Sequence, residues 1–394
     1  MGGFVAPGFE PVSEVFARHL RDGIEKGAAV ALYRHGRLVV DLWGGEARPG
    51  ERWAEDTVVP VFSTSKGAVA LVVQLLCDRG VLAVDRPVAA YWPEFGVNGK
   101  STITLEHVLT HTAGLPSVPD YQEIVTHDSP EGWDRREEIV SRLAAAAPEW
   151  EPGSRPGYHA ITFGWLIGEV VRRVTGRPIG DVFATEIARP LGMDTWLGIP
   201  AEITDRVGHL IAPLPPSDPE EAELLARVLS PETVTARALM VGPSGGLDHV
   251  AEVANSPLFL QAEIPAGNMV TDARSVARMY AMLVAGGSLD GVRIVSEDSI
   301  TEHTRVRVEA YDEVLMKDRR YALGYMLQAE PIGRFGPNPN AFGHPGMGGS
   351  VGFADPRAGV SFAYVMTQMV PALDTDERSR ALVDAVYESL EAER

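Results

Sequence analysis

Cysteine occurs once in the 394 residues, at Cys77. One cysteine excludes an internal disulfide and suits a reducing compartment. Its place inside an apolar run reads as packing rather than as a nucleophile. Positive charge is also short. Lys and Arg number 35 against 54 Asp and Glu, a formal net charge of -19. Such a chain repels phosphate backbones and anionic headgroups, so neither nucleic acid nor a membrane surface is an expected partner. No stretch reaches the length of a transmembrane helix. The N-terminus Met1–Gly8 lacks the basic and apolar regions of a secretory signal, and the cytoplasm is the expected location. There is no H-E-x-x-H metal motif, no internal repeat and no low-complexity tract. What remains is ordinary globular composition, 45% hydrophobic and 23% charged, in a chain long enough for two domains.

Lysine is the scarcest charged residue, with only Lys26, Lys66, Lys100 and Lys317. Of these, only Lys66 has a serine three residues before it, in Ser63-Thr64-Ser65-Lys66. Three residues make about one helical turn, so Ser63 and Lys66 share a face, whereas Ser65 splays away. A serine hydroxyl becomes a nucleophile when a neighbour takes its proton, and a lysine does that only when neutral. The positive end of a helix dipole favours that neutral form. The tetrad alone is equally an ordinary helix start with a serine cap and a surface lysine. The run Ala68–Cys77, apolar nearly all round, points instead to a buried helix with a desolvated lysine at its head.

Hydrophobic periodicity organises the rest. A helix is expected over Val12–Lys26. A hairpin follows, with strands Ala28–Tyr33 and Leu38–Trp43 around Arg34–Arg37. Further helices are expected from Ser63 to about Gly80, near Ile139–Ala147, over Phe163–Val174 closing at Gly176, and over Asp272–Ala285. Residues 213–223, rich in proline and acid, read as a solvated surface excursion. Tyr321–Ala329, Ser350–Ala354 and Gly359–Met366 read as strands, and a last helix covers Asp374–Glu391. Strands at both ends with helices between them predict an α+β protein: an antiparallel sheet flanked by helices and built from both termini, plus an inserted mostly helical domain. The expected division is 1–62 with 270–394 for the sheet domain and 63–269 for the helical one, with the Ser63 helix at their interface.

Several further segments carry a resemblance that runs from about residue 25 to 367. After the S-x-x-K tetrad come Leu109-Thr110-His111-Thr112-Ala113-Gly114-Leu115, Tyr158-His159-Ala160, Pro265-Ala266-Gly267-Asn268-Met269, Tyr321-Ala322-Leu323-Gly324-Tyr325 and His344-Pro345-Gly346. In this order they resemble the serine β-lactamase and penicillin-binding-protein superfamily. The closest likeness is to its class C-like branch with the family VIII carboxylesterases. The resemblance implies a β-lactamase-like fold, no cofactor and no metal. It implies Ser63 as nucleophile, Lys66 and Tyr158 as a coupled base, and the backbone N–H groups of Ser63 and Met347 as an oxyanion hole. His344, Gly346 and Gly348 would meet the substrate, with His344 donating to it or positioning Tyr158. The positive charge of Lys66 would favour phenolate character in Tyr158.

Two departures bear on the substrate. Ala160 stands where the tyrosine box has asparagine, and His344 where the edge-strand box has lysine. Both weaken the case for a charged β-lactam and point to a small-molecule carboxylic ester with a short to medium acyl chain, cleaved through an acyl-enzyme. Residues 115–150 and 213–262 are expected to line the acyl and alcohol pockets. The competing readings are a β-lactamase or D-amino-acid peptidase, an acyltransferase, and a catalytically retired binding or scaffold protein. Oligomeric state is not legible. Two G-x-S-x-G segments, around Ser244 and Ser350, lack the strand–turn–helix context of a nucleophile elbow. His107 and His111, four residues apart, lack a third metal ligand.

Overall fold

A computed structural model describes residues 1–214, 218–244, 246, 249–329, 335–371 and 374–392. Its centre is set by the apolar run Gly27–Arg34, buried at every position but the last. Such a strand must be covered on both faces. It lies in a ten-stranded antiparallel sheet. The order across it is Gly2–Val5, Arg37–Arg48, Gly27–Arg34, Val360–Met366, Val351–Asp355, Phe342–Pro345, Met326–Leu327, Lys317–Tyr321 and Val308–Asp312, with Glu51–Arg52 paired beside Arg37–Arg48. The two ends of the chain meet at the middle, where Ala31 faces Ala363.

Side-chain alternation assigns the two faces. Ser361 Oγ donates to Ala277 O at 2.7 Å, which places helix Ala273–Val284 on one side. Tyr364, three residues on and so on the other face, reaches Glu25 and lies against Arg378 of the last helix, Glu377–Ala392. That helix packs with Glu10–Arg21. The expected antiparallel sheet flanked by helices, built from both termini, is therefore the observed one.

Between the two sets of strands the chain is mostly helical. Helix Ser65–Asp78 is buried from Ser65 through Leu76, as its nearly all-round apolar sequence requires. Helix Thr162–Thr175 buries its first ten residues. Helix Arg136–Ala145 packs against it.

Four expectations need correction. The first helix stops at Arg21, not Lys26, because the chain turns at Asp22–Gly23. The Ser63 helix begins with a separate 3-10 turn, Phe62–Thr64. The strand expected over Tyr321–Ala329 is two, Lys317–Tyr321 and Met326–Leu327, broken where Gly324 adopts φ +83°. Part of the acidic excursion is a helix, Pro219–Val228, whose Asp218 cap accepts from Glu220 N–H at 2.9 Å; residues 215–217 lie outside the described residues. Among the described residues no helix is long and apolar enough to cross a membrane.

Candidate active site

A small three-stranded sheet delivers the Ser63 turn. Val59–Pro60 pairs with Met269–Thr271, which also pairs with Thr195–Leu197. Val61 N–H then donates to Met269 O at 3.0 Å. Phe62 follows with φ +43°, a left-handed conformation that a bulky residue adopts only where the surroundings force it. The reversal leaves Ser63 partly exposed while Thr64, Ser65 and Lys66 are buried. Ser65 has a different task. Its hydroxyl donates to Phe62 O and accepts from Met269 N–H at 3.0 Å, so both capacities are used within the fold.

The two other serines of interest are also engaged. Ser350 is fully buried, donates to Val61 O at 2.9 Å and lies 3.1 Å from Thr64 Oγ1. It clamps the Ser63 turn from behind. Ser244 is exposed and donates to Asp128 Oδ1 at 2.7 Å.

Lys66 has no solvent-exposed surface. Its Nζ lies 3.0 Å from Ser63 Oγ, 2.7 Å from Ala160 O and 3.1 Å from Ala266 O. Burial holds the amine well below the ordinary lysine range. A neutral amine has two N–H donors and one lone pair. The two carbonyls occupy the donors, and the third direction faces Ser63 Oγ. The geometry therefore presents a base to the serine hydroxyl. Ala160, read from sequence as the loss of an amide, supplies its main-chain oxygen to the same lysine.

Tyr158 sits in the loop entering helix Thr162–Thr175 and lines the same cleft as Ser63. Burial pushes this phenol above the ordinary tyrosine range. The phenolate expected from a nearby lysine charge is thus overturned, because a lysine held neutral offers no charge. The backbone of Tyr158 is fixed from across the molecule: its N–H donates to Asp312 Oδ1 at 3.1 Å. Buried Asp312 also accepts from Val314 and Leu315 N–H and from Tyr321 Oη. No sequence signal singled out Asp312.

The histidines beneath the site are structural joints. His159 Nε2 accepts from Leu115 N–H at 3.0 Å, its Nδ1 lies 2.7 Å from Gly157 O, and its N–H donates to His111 Nδ1 at 3.1 Å. The His111 ring packs against Tyr158 and Tyr321. His107 Nδ1 accepts from Thr104 N–H in a helix cap. Among the described residues no group of three potential ligands occurs.

The edge strand Phe342–Pro345 brings in the last predicted residues. His344 is buried, its ring lying 5.9 Å from that of Tyr158 and nearly parallel to it. Its Nδ1 is 2.6 Å from Pro345 O, and Nε2 has no partner among the described residues. Burial keeps it well below the ordinary histidine range. With the Nδ1 proton directed at a carbonyl, Nε2 is an acceptor, which overturns the expected donation to substrate. Contact with Tyr158 is by ring packing.

Gly346 and Gly348 do not line the cleft. A Cβ on Gly346 would meet Ser350 Oγ at 2.2 Å and Val61 O at 2.3 Å, so this glycine admits the Ser63 turn rather than a substrate. The Gly348 carbonyl is taken by Arg378 Nη2 at 3.0 Å and Val370 N–H at 3.1 Å. Met347 between them is partly exposed. Among the described residues, the N–H groups of Met347 and Ser63 are bonded to no protein acceptor.

Ser63, Tyr158 and Met347 open onto a narrow cleft walled by Phe62, His127, Trp133, Ala160, Ile161, Leu239, Phe259, Ile264 and Gly267. No lining residue carries a charge. The segments expected to form its walls contribute His127 and Trp133 from 115–150, and Leu239 and Phe259 from 213–262.

Comparison with known proteins agrees with this architecture. The family model described as Beta-lactamase matches residues 14–387. The chain is 38% identical over 388 residues to "Esterase/beta-lactamase LipL" of Mycobacterium tuberculosis (strain ATCC 25618 / H37Rv), covering 95% of this chain and 85% of that protein. It is similar to the crystal structure of a family VIII carboxylesterase, with TM-score 0.86, 36% identity and coverage of 98% and 99%. It is likewise similar to a penicillin-binding protein homologue from Caulobacter crescentus, with TM-score 0.84, 38% identity and the same coverage. With a family match across nearly its whole length and a serine–lysine pair in hydrogen-bond contact, this chain belongs to the beta-lactamase family.

Proposed function

We propose that the protein is a serine hydrolase that cleaves uncharged carboxylic esters through an acyl-enzyme on Ser63. The observation that carries this reading is the Lys66 amine, desolvated, with both N–H groups directed at Ala160 O and Ala266 O and its remaining direction on Ser63 Oγ. The Ser63 proton passes to Lys66 as Oγ attacks the ester carbonyl. The oxygen that gains charge meets the free N–H groups of Ser63 and Met347, donors worth about 10²–10³ in rate each. Tyr158, kept protonated by burial, gives its proton to the departing alkoxide and is reprotonated through Lys66. Water then attacks the acyl-enzyme, giving up a proton to the same pair, and releases the acid and Ser63.

The substrate class follows from the walls. An apolar cleft with a neutral His344 behind it offers no cation to a substrate carboxylate, which favours neutral esters over β-lactams or D-peptides. The carboxylesterase among the similar structures supports an ester substrate, while the name of the Mycobacterium relative carries both esterase and beta-lactamase. Turnover of p-nitrophenyl butyrate and of nitrocefin, each measured with wild type and Ser63→Ala, is the test. Ester turnover lost in the variant, with little nitrocefin cleavage, is expected. Dominant nitrocefin turnover would make it a β-lactamase, and ester activity surviving in Ser63→Ala would assign the wrong nucleophile.

A further inference from the structure

The cleft is apolar except for one side chain with no part in the chemistry above. His127 lies among its walls and is only 3% exposed. Its backbone is fixed: His127 N–H donates to Met240 O at 3.0 Å, next to the lining residue Leu239. Its ring packs on Trp133 with centroids 4.8 Å apart. The Trp133 indole N–H is already occupied, donating to Thr126 O at 3.1 Å and to Ser129 O at 3.3 Å.

The imidazole itself is not occupied. His127 Nδ1 is buried with no partner, and nothing among the described residues bonds either ring nitrogen. Buried polar atoms are almost always paired, so one in the cleft wall with no protein partner calls for an explanation. Packing alone does not provide one, since a phenyl ring would fill the same wall without losing hydration.

We propose that His127 determines specificity by hydrogen-bonding a hydroxyl group on the acyl or alcohol chain of the ester, making hydroxy esters the preferred substrates. A neutral imidazole offers one donor and one acceptor, and a hydroxyl satisfies either. Burial holds the ring neutral, with its pKa lowered to about 4. The remaining walls bury the hydrocarbon of the same chain. A site built to bond a substrate hydroxyl discriminates strongly against the analogue without it, because its own polar group is then left unpaired.

This inference rests on the hydrolase reading, and the test separates the two. Hydrolysis of matched pairs is followed by pH-stat: ethyl butyrate with ethyl 3-hydroxybutyrate, ethyl hexanoate with ethyl 6-hydroxyhexanoate, and butyl with 4-hydroxybutyl butyrate. Wild type, His127→Phe, His127→Gln and Ser63→Ala are compared. At least one hydroxy ester should exceed its parent by ten-fold or more in kcat/KM in the wild type. That ratio should fall to about one in His127→Phe and recover in part in His127→Gln. Because the readout is a ratio within each protein, a general loss of activity cancels. Ser63-dependent hydrolysis of every ester with no wild-type ratio above three-fold would overturn the role of His127 alone. So would a preference that survives in His127→Phe or, should that variant fail to fold, one unchanged in His127→Gln. No Ser63-dependent hydrolysis of any ester would overturn both readings.

Discussion

If Lys66 is the base, it must be neutral in the folded protein, and that leaves a thermodynamic mark independent of catalysis. In the unfolded chain a lysine titrates near 10.4. In the fold, burial lowers its pKa well below that. Between the two values the unfolded chain holds a proton that the folded protein lacks, so unfolding takes up a proton and stability rises with pH. The slope is about 1.4 kcal/mol per pH unit for one such group. It vanishes below the folded pKa, where both states are protonated, and above the unfolded one, where neither is. Lys66→Met keeps the length of the side chain and removes the titration. It also deprives Ala160 O and Ala266 O of a donor, at about 1–3 kcal/mol each, but that cost is an offset in pH, not a slope. Urea denaturation of both proteins in half-unit steps from about pH 7 to 10 therefore yields a difference curve in which the other titrations cancel. Wild type should gain on the variant by up to about 1.4 kcal/mol per unit. The low-pH corner of that curve should coincide with the pKa below which kcat/KM for an ester falls. A flat difference across the whole range would mean that the folded protein keeps the Lys66 proton. The amine would then be an ammonium, unable to accept from Ser63, and the mechanism would fail.

Three other outcomes are expected. Ser65→Ala should retain the serine-dependent activity but lose about 1–3 kcal/mol of stability, because buried Met269 N–H loses its acceptor; loss of activity with no loss of stability would reverse the assignment of the two serines. Gly346→Ala should lower kcat of a folded enzyme by about ten-fold or more, since the new Cβ would force Val61 and Ser350 away from the Ser63 turn; unchanged kcat would show that the turn does not depend on this contact. Cys77, its pKa pushed up to about 12 by burial with Asp78 adding to it, should resist iodoacetamide at about pH 8 in the native protein and react once unfolded; rapid native labelling read by mass spectrometry would refute that environment.

The parts of the fold and site that were legible in sequence are those written in side-chain spacing. The Ser63–Lys66 interval, the apolar run behind it and the alternation of the terminal strands each have a local periodicity. The strands from both termini accordingly came out in one sheet, and the serine and lysine came out in contact. The failures are of another kind. The acidic segment after Asp218 reads as solvated loop because its charges mask a capped helix start. Tyr321–Ala329 reads as one strand because a single glycine with positive φ inside an apolar run looks like any other glycine.

What escaped the site altogether was main chain and long-range contact. The donors on Lys66 are met by carbonyls of Ala160 and Ala266, and every residue type has a carbonyl, so no residue identity could announce them. Asp312 fixes Tyr158 from 154 positions away, and an isolated aspartate has no local pattern. The same blindness explains the error over Tyr158. Sequence places a cation beside a tyrosine and suggests a phenolate. The fold buries both, and burial acts on them in opposite directions, lowering the lysine and raising the tyrosine. Each shift favours the neutral form, so the pair rests as amine and phenol. That is the protonation state in which one can take a proton from Ser63 and the other can give one to the leaving alcohol.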